Sequence, residues 1–207
     1  MAIKNIKERI VTMATQEFLA NGYGGTRMQL IADKAGINKA LLHYHFRSKK
    51  QLYELILRSQ FEYLINAMLE IFSSDEEFEP WLQRLIGKLL SEIGGKPHFS
   101  RFLLWELSSS AKQITGLMRE VLEQHPGVDI LQMVQMKLKQ SGYGDYPPQQ
   151  FIMNVFSLCI YPILARPLLE TILGKAQFSN KDFLADRAQE IFTLVKYGIM
   201  ERQGAGK

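Results

Sequence analysis

Two short helical patterns joined by a three-residue turn occupy residues 26–49, and they constrain the fold more than any other stretch. The first pattern has a narrow apolar face made of four residues at helical spacing, Met28, Ile31, Ala32 and Ala35. Thr26 and Gln29 have the Thr-x-x-Gln spacing of a capping box, which predicts where this helix begins. Gly36 follows the last apolar residue, and glycine commonly ends a helix there because it adopts a left-handed backbone.

The second pattern begins after Asn38, a residue type that caps helix N-termini well, and extends from Lys39 to Phe46. Leu42 and Phe46 lie four residues apart and are predicted to face inward. The outward face then consists of Lys39, Ala40, Leu41, His43, Tyr44 and His45. Two short helices around a tight turn with glycine are typical of a helix-turn-helix, whose second helix enters the DNA major groove. The same spacing also fits a helical hairpin in any all-α protein with a solvated basic face.

A longer match distinguishes these alternatives. The stretch GYGGTRMQLIADKAGINKALLHYHFRSKKQLY, residues 22–53, resembles the N-terminal domain of the tetracycline repressor (TetR) family of bacterial transcription regulators. The likeness covers about the first sixty residues. Its motifs are the Gly-Tyr pair after the first helix, Thr26, the IADKAGI segment, the spaced Leu42, Tyr44 and Phe46, and the Ser-Lys pair that ends at Lys49.

The resemblance implies a set of DNA contacts. Thr26, Tyr44 and Lys49 stand where family members hold phosphates. The positions from which family members touch bases or nearby backbone are held by Gln29, Lys39, Ala40, Leu41, His43 and His45. Two of these depart from the common pattern, since Ala40 replaces a frequent glycine and Leu41 a frequent small hydroxyl residue. The base preference of other family members therefore does not transfer to this chain.

The charge distribution agrees with a DNA-binding N-terminus. Residues 1–58 hold ten basic and four acidic residues, a net charge of +6, whereas the whole chain of 207 residues carries +4. The rest must therefore carry −2. A basic module on a slightly acidic body suits a polyanionic partner bound at one end, although a fluctuation of this size also arises by chance. We expect a DNA-binding domain over residues 1–50 and a larger helical domain over 51–207.

The remaining helical patterns predict an all-α fold. The N-terminal three-helix domain is completed by a first helix that ends at Asn21-Gly22, and a second capping box, Ser48 with Gln51, begins a long helix that runs to about Phe72. Further helices are predicted from Pro80 to Gly94, from Phe99 to Ser109, from Lys112 to Gln124 and from Ile130 to Gln140.

Two long patterns end the chain. Residues 149–173 are almost entirely apolar, which predicts a helix buried on most sides and kinked by Pro162 and Pro167. Residues 183–200 are amphipathic, with one face formed by Leu184, Ala188, Ile191, Phe192, Val195 and Ile199. The resemblance implies that these helices form a four-helix interface in a homodimer. The excess of apolar surface on both patterns favours the same interface, with Phe192 as an expected seam position. The alternative is that both helices fill the core of a monomer.

The middle of the chain contains candidates for a pocket that binds a small apolar effector. Ligand pockets are mainly apolar with a few placed polar groups. The candidates are His98, Phe102, Trp105, Glu106, Met118, Met136, Asn154, Cys159 and Tyr161. Each of these residues is also compatible with a purely structural role, because stripes of methionine and aromatic residues usually form core.

Catalysis is not predicted. His43 and His45 have i, i+2 spacing, which points their side chains to different helix faces and predicts no metal site. No phosphate-binding glycine loop or nucleophile elbow is present, and nothing supports the single Cys159 as a nucleophile, so no cofactor is expected. The first ten residues have no apolar signal core, and no uninterrupted apolar run is long enough to span a bilayer, which predicts a cytoplasmic protein.

The sequence thus predicts a homodimeric TetR-like regulator, a repressor of a nearby gene or operon that binds palindromic double-stranded DNA and is released by an apolar effector. The alternative is a helical protein that binds small molecules, lipids or other proteins and no longer reads DNA.

Overall fold

A computed structural model describes residues 2–94, 97–109, 111–175, 178 and 182–204. This part of the chain is helical and contains no strand, so the all-α prediction is confirmed. Its helices are α1 Ala2–Gly25, α2 Met28–Lys34, α3 Lys39–His45, α4 Lys49–Phe72, α5 Phe78–Gly94, α6 Pro97–Ser109, α7 Ala111–Glu123, α8 Ile130–Gln140, α9 Pro148–Leu164, α10 Arg166–Leu173 and α11 Phe183–Gly204.

The chain forms two compact units. The first unit comprises Met1–Leu64 and Arg101–Gln124, and the second comprises Ile65–Ser100 and His125–Lys207. This division differs from the boundary expected at residue 50. The difference arises because the N-terminal part of α4 and most of α6 and α7 group with the N-terminal helices, through contacts such as Tyr53 with Phe18 and Phe102 and Arg58 with Glu120. Periodicity along a sequence does not reveal such contacts.

In the first unit, the turn between α2 and α3 has the predicted form. Gly36 adopts φ 63°, in the left-handed region that glycine tolerates best. The side chain of Asn38 accepts a hydrogen bond from the Leu41 backbone N–H at 2.8 Å, which caps α3 as expected. Leu42 and Phe46 are buried, and Ile31, Ala32 and Ala35 provide the apolar face on the other helix.

The capping box predicted at Thr26 and Gln29 is wrong. The N-cap of α2 is Arg27, which makes no side-chain capping bond. The Thr26 hydroxyl donates to the backbone carbonyls of Glu17 at 3.1 Å and Gly22 at 2.8 Å, while the Gln29 amide donates to Asp33. Gly22, at φ 64°, interrupts α1 and directs the chain back toward these partners. Carbonyls brought close by the fold therefore compete successfully for a hydroxyl that the local pattern assigns to a cap.

Polar contacts join α1 to α2. The Arg9 guanidinium donates to the carbonyl of Ala35, at the C-terminal end of α2. The carboxylate of Glu17, which is almost fully buried, pairs with Lys34 and accepts a hydrogen bond from the Asn21 amide at 3.2 Å. The orientation of the helix-turn-helix is therefore fixed by charged hydrogen bonds as well as by apolar packing.

The start of α4 differs in one detail from the predicted capping box. The Ser48 hydroxyl accepts from the Gln51 backbone N–H at 3.1 Å, as predicted. The Gln51 side chain, however, accepts from the N–H of Arg47 rather than from that of Ser48. Both bonds fix the short connection between α3 and α4, which immediately precedes Lys49, the first residue of α4.

The second unit has an aromatic and aliphatic core centred on Trp81 of α5. The indole lies flat against Phe151 of α9, with ring centroids 5.7 Å apart and planes 20° apart, and its N–H donates to the carbonyl of Ile71 at 3.0 Å. The amphipathic pattern of α11 places Ile191, Phe192 and Val195 in this same core. Phe192 is only 8% exposed within one chain, so its assignment as a seam position between protomers is wrong.

The apolar segment predicted as one kinked helix forms two helices, because α9 ends at Leu164 and α10 begins at Arg166 with a bend of 73°. The predicted burial on most sides is also wrong for the single chain. The buried residues of α9 are Phe151, Val155 and Cys159, and α10, whose residues are all described, has none. Within the described ranges no single helix is long and apolar enough to cross a bilayer; α9 and α10 meet that criterion only as a bent pair.

Pro162 lies inside α9 and has no N–H, so it leaves the carbonyl of Leu158 without its helical donor. The Arg187 guanidinium of α11 donates to that carbonyl at 3.3 Å. A part-buried carbonyl without a donor loses free energy, and the arginine supplies the bond that the proline removes. The proline thus creates a specific polar contact between α9 and α11.

Candidate nucleic-acid interface

The outward face of α3 is free for a partner. Lys39, Ala40, His43 and Tyr44 are exposed, with Tyr44 at 80%, and Leu41 and His45 are half-buried. Tyr44 packs edge-on against His45, with ring centroids 5.4 Å apart. Because Leu42 and Phe46 anchor the opposite face, the six outward side chains project from a fixed backbone. A short helix exposed along one face after a tight turn has the geometry of a recognition helix.

The three remaining predicted contacts lie beside α3 in sequence and differ in their surroundings. The exposed Gln29 side chain on α2 is held by its 2.8 Å hydrogen bond to Asp33. The ammonium of Lys49, the first residue of α4, lies 4.5 Å from the centroid of the Tyr23 ring. Thr26 is only 1% exposed and its hydroxyl donates to two backbone carbonyls, and the phosphate contact that the resemblance implies for it stays a prediction.

The cations around this face were only partly identified from the sequence. Arg27, Arg47 and Lys50 are exposed and adjoin predicted contact residues along the chain, but the sequence pattern indicates them only as part of the basic net charge. Among the described residues, no carboxylate pairs with Lys39, Arg27 or Arg47. The Nζ atom of Lys50 lies 3.8 Å from a carboxylate oxygen of Glu54. The available signal was the local excess of arginine and lysine beside the turn. Cations without internal partners can pair with phosphates without first breaking an ion pair.

The predicted effector residues are not gathered into one enclosed cavity by either unit. In the first unit, Phe102 and Trp105 line an open hollow of about 290 Å³ beside Gly22, Gly24 and Gly25. Glu106 is instead buried, where it accepts a hydrogen bond from the Tyr53 hydroxyl. Met118 is exposed.

The candidates in the second unit have equally separate roles. Cys159 is fully buried in the core, and this burial raises the pKa of its thiol to about 12. The Asn154 amide donates to the Tyr146 hydroxyl at 2.8 Å, beside a hollow of about 200 Å³. The remaining candidates, His98, Met136 and Tyr161, are exposed. A lone buried thiol and scattered exposed side chains hold no metal, and no metal-binding cluster occurs in the described residues.

Comparison with known proteins identifies the N-terminal module. The family described as bacterial regulatory proteins, tetR family, matches residues 10–56, which include α2, α3 and the start of α4. The HTH-type transcriptional regulator RutR of Escherichia coli (strain K12) is 24% identical over 207 residues, covering 97% of this chain and 93% of the relative. IcaR of Staphylococcus aureus (strain Newman), the negative transcriptional regulator of the biofilm operon icaADBC, is 41% identical over 64 residues, or 31% of this chain and 34% of IcaR.

The fold extends this likeness along the chain. The crystal structure of the transcriptional regulator FadR from Bacillus subtilis, in complex with stearoyl-CoA, aligns with a TM-score of 0.63 at 16% identity and covers 91% of this chain and 96% of that one. At this identity the match establishes the fold alone. Residues 10–56 thus match the tetR family of bacterial regulatory proteins, and over nearly its whole length the chain is similar to transcription regulators of that kind.

Proposed function

We propose that the protein acts as a homodimeric cytoplasmic repressor that binds a palindromic operator through α3 of each protomer and is released by a small apolar effector. The observation that carries this proposal is the exposed face of α3, from Lys39 to His45, on a backbone fixed by the Gly36 turn and the Asn38 cap. Lysine can contact phosphate or guanine, histidine and tyrosine can hydrogen bond to bases or phosphates, and Ala40 and Leu41 can contact a thymine methyl group.

Homodimerisation is supported by the apolar surface of the last helices. Met153 and Tyr161 of α9, Leu168 and Ile172 of α10, and Leu194 and Tyr197 of α11 are between 51% and 67% exposed. Such a concentration of exposed large apolar side chains is unusual on a monomer and marks an interaction surface. A two-fold dimer presents two recognition helices, which match half-sites about 34 Å apart, one turn of DNA.

The ligand-responsive part of the proposal is supported by the shared fold. FadR of Bacillus subtilis, a protein with this fold, was solved in complex with stearoyl-CoA, a ligand with a long apolar chain. An effector releases DNA only if it binds one conformation better than another, and the two ligands must then weaken each other equally. Stearoyl-CoA is therefore a suitable first probe. Its affinity should fall when cognate DNA is present, and equal affinity with and without DNA would leave a repressor controlled by its own abundance.

The decisive experiment is selection of bound sequences from random duplex DNA. The expected result is an inverted repeat whose half-sites are separated by one helical turn. Replacing His43 by alanine should change the selected sequence, with discrimination altered by roughly 1 to 3 kcal/mol at one position. Replacing Lys39 tests whether the first residue of α3 contributes to the same preference.

Phosphate contacts are tested by salt dependence. The Lys49→Ala variant should weaken binding to all sequences alike and should lower the slope of log K against log salt by about 0.9 per protomer. A matched control is Lys139→Ala, which removes an exposed lysine of the second unit outside the proposed interface. No enrichment of any sequence and no binding to duplex DNA at low salt would instead favour a helical ligand-binding protein.

A further inference from the structure

A buried carboxylate in the first unit has no role in the function described so far. Glu106 of α6 is 2% exposed, and one of its oxygens accepts a hydrogen bond from the Tyr53 hydroxyl of α4. The other oxygen, Oε2, is buried and has no hydrogen-bond partner within the part of the chain that the structure describes. Burying a carboxylate that is only half satisfied costs free energy that an apolar pair of the same shape does not incur. Packing alone therefore does not account for this pair.

The Tyr53 side chain is held at both ends. Its hydroxyl is fixed by Glu106, and its ring packs edge-on against Phe18 and Tyr23, each with ring centroids 4.9 Å apart. Burial, followed by the hydrogen bond to Glu106, raises the pKa of Tyr53 well above its usual value, so the phenol remains a donor at physiological pH. The bond to Glu106 thus sets the position of the surface against which Tyr23 rests.

Tyr23 connects the buried Tyr53 ring to Lys49 at the protein surface. Its ring makes the T-shaped contact with Tyr53, the side chain is 39% exposed, and the ammonium of Lys49 lies 4.5 Å from the ring centroid. An aromatic ring attracts a cation through its negative face, and this contact restricts a long side chain that otherwise samples many rotamers. The contacts therefore form a continuous series from α6, through α4 and the end of α1, to the first residue of α4.

We propose that Glu106 and Tyr53 are positioning residues for DNA binding, which act through Tyr23 to hold the Lys49 ammonium where it meets a phosphate. This inference rests on the proposed DNA-binding function and adds a role for a buried pair outside the helix-turn-helix. Neither Glu106 nor Tyr53 touches DNA. Their effect depends entirely on the presence of Lys49, and this dependence separates positioning from a general contribution to stability.

The test is a double-mutant cycle on the full-length protein, with binding to a mixed-sequence duplex measured by fluorescence anisotropy at several salt concentrations. Non-specific binding depends on phosphate contacts, so no operator needs to be known. Tyr53→Phe removes the hydroxyl donor and should lower affinity several-fold and reduce the salt slope toward that of Lys49→Ala. In the Lys49→Ala background the same change should have no further effect.

Conservative variants provide the matched controls. Glu106→Gln keeps an oxygen that can accept from Tyr53 and should bind like the wild type, as should Tyr23→Phe, which keeps the ring. Tyr23→Leu removes the ring and should behave like Tyr53→Phe. Since Tyr23 is part-exposed, this variant also tests the proposal if Tyr53→Phe fails to fold, and urea unfolding of each variant reports its stability.

Each outcome is decisive. Losses that vanish in the Lys49→Ala background support the positioning role. Equal losses with and without Lys49, or unchanged affinity and slope in both Tyr53→Phe and Tyr23→Leu, overturn it while leaving DNA binding intact. Failure of the wild-type protein to bind duplex DNA at low salt refutes the proposed function itself and removes the basis of the inference.

Discussion

The helix-turn-helix and the last three helices expose opposite kinds of surface. Around α3 the exposed side chains are mainly polar or basic, and the backbone beneath them is fixed by polar contacts such as Arg9 to the Ala35 carbonyl. On α9, α10 and α11 the exposed side chains include large apolar ones, such as Ile172 and Leu194. The polar and basic side chains around α3 are well solvated by water and can exchange that water for a polyanion. The apolar side chains of the last three helices gain free energy when another apolar surface covers them.

The largest expected effect tests where the apolar surface of α11 ends and the core begins. Phe192→Asp places an unpaired charge in the core of the second unit and should destabilise the fold by about 3 kcal/mol or more. Its matched control is Leu194→Asp, two residues away at a position that is 54% exposed, which should separate the protomers and leave the fold intact. Sedimentation and urea unfolding measure the two effects. A Leu194→Asp variant that remains dimeric at micromolar concentration would contradict the assignment of this surface.

The second effect tests how firmly the turn before α3 is fixed. A Cβ added at Gly36 lies 2.7 Å from the Arg9 guanidinium, and the backbone there has φ 63°. Gly36→Ala should therefore cost roughly 2 to 3 kcal/mol, from backbone strain together with loss of the charged hydrogen bond to Ala35, and should impair DNA binding. Gly127→Ala is the control, because Gly127 also has positive φ but open space around its Cβ position. It should cost only the strain, about 1 kcal/mol, as urea denaturation can show.

A third prediction concerns a polar contact within the otherwise apolar pair of α9 and α11. Arg187→Met removes the donor to the Leu158 carbonyl and should destabilise the protein by about 1 to 2 kcal/mol. In the Pro162→Ala background a backbone N–H is restored to the helix, so the same change should cost less. A double-mutant cycle by urea denaturation measures the difference. Additive losses would show that the arginine does not compensate for the proline.

The smallest effect tests how well the core beneath the apolar surface excludes water. Burial raises the pKa of Cys159 from an ordinary value of 9.0 to about 12. Because the pKa of the thiol is higher in the folded than in the unfolded protein, titration of the thiol does not lower the free energy of unfolding below about pH 9. That free energy falls as the pH rises from there toward 12. Unfolding free energies at pH 8 and pH 10 should therefore differ more for the wild type than for Cys159→Ala, by about 1 kcal/mol. If the change in unfolding free energy between pH 8 and pH 10 is the same in the wild type and in Cys159→Ala, the thiol is hydrated in the folded protein.

Features that depend on local chemistry were predicted correctly from the sequence. The left-handed glycine, the Asn38 cap and the buried Leu42 and Phe46 follow from neighbours a few residues away. Thr26 was misassigned because its hydroxyl finds carbonyl partners that only the fold brings near. Phe192 was misassigned because a periodic apolar face does not show whether the covering surface belongs to the same chain.

The residues of the candidate site also divide into those that local sequence pattern predicts and those whose role depends on the fold. The outward residues of α3 follow from helical spacing, and the structure places them on the exposed face. The effector residues are predicted from their chemical type alone, and nothing in the sequence indicates which of them share a cavity. Glu106 was chosen as a polar pocket group, but its partner Tyr53 is 53 residues away along the chain, and only the structure pairs them.

The proline in α9 also determines how its partner helix is placed along it. Successive residues of a helix are separated by a rise of only about 1.5 Å, so two smooth apolar helices can slide past each other at little cost. Pro162 frees a single carbonyl, at Leu158, and Arg187 bonds to it. A slip of α11 by even one residue breaks this bond. The proline and the arginine therefore fix the register of α11 against α9, and with it the positions of Leu194 and Tyr197 on the surface proposed for dimerisation.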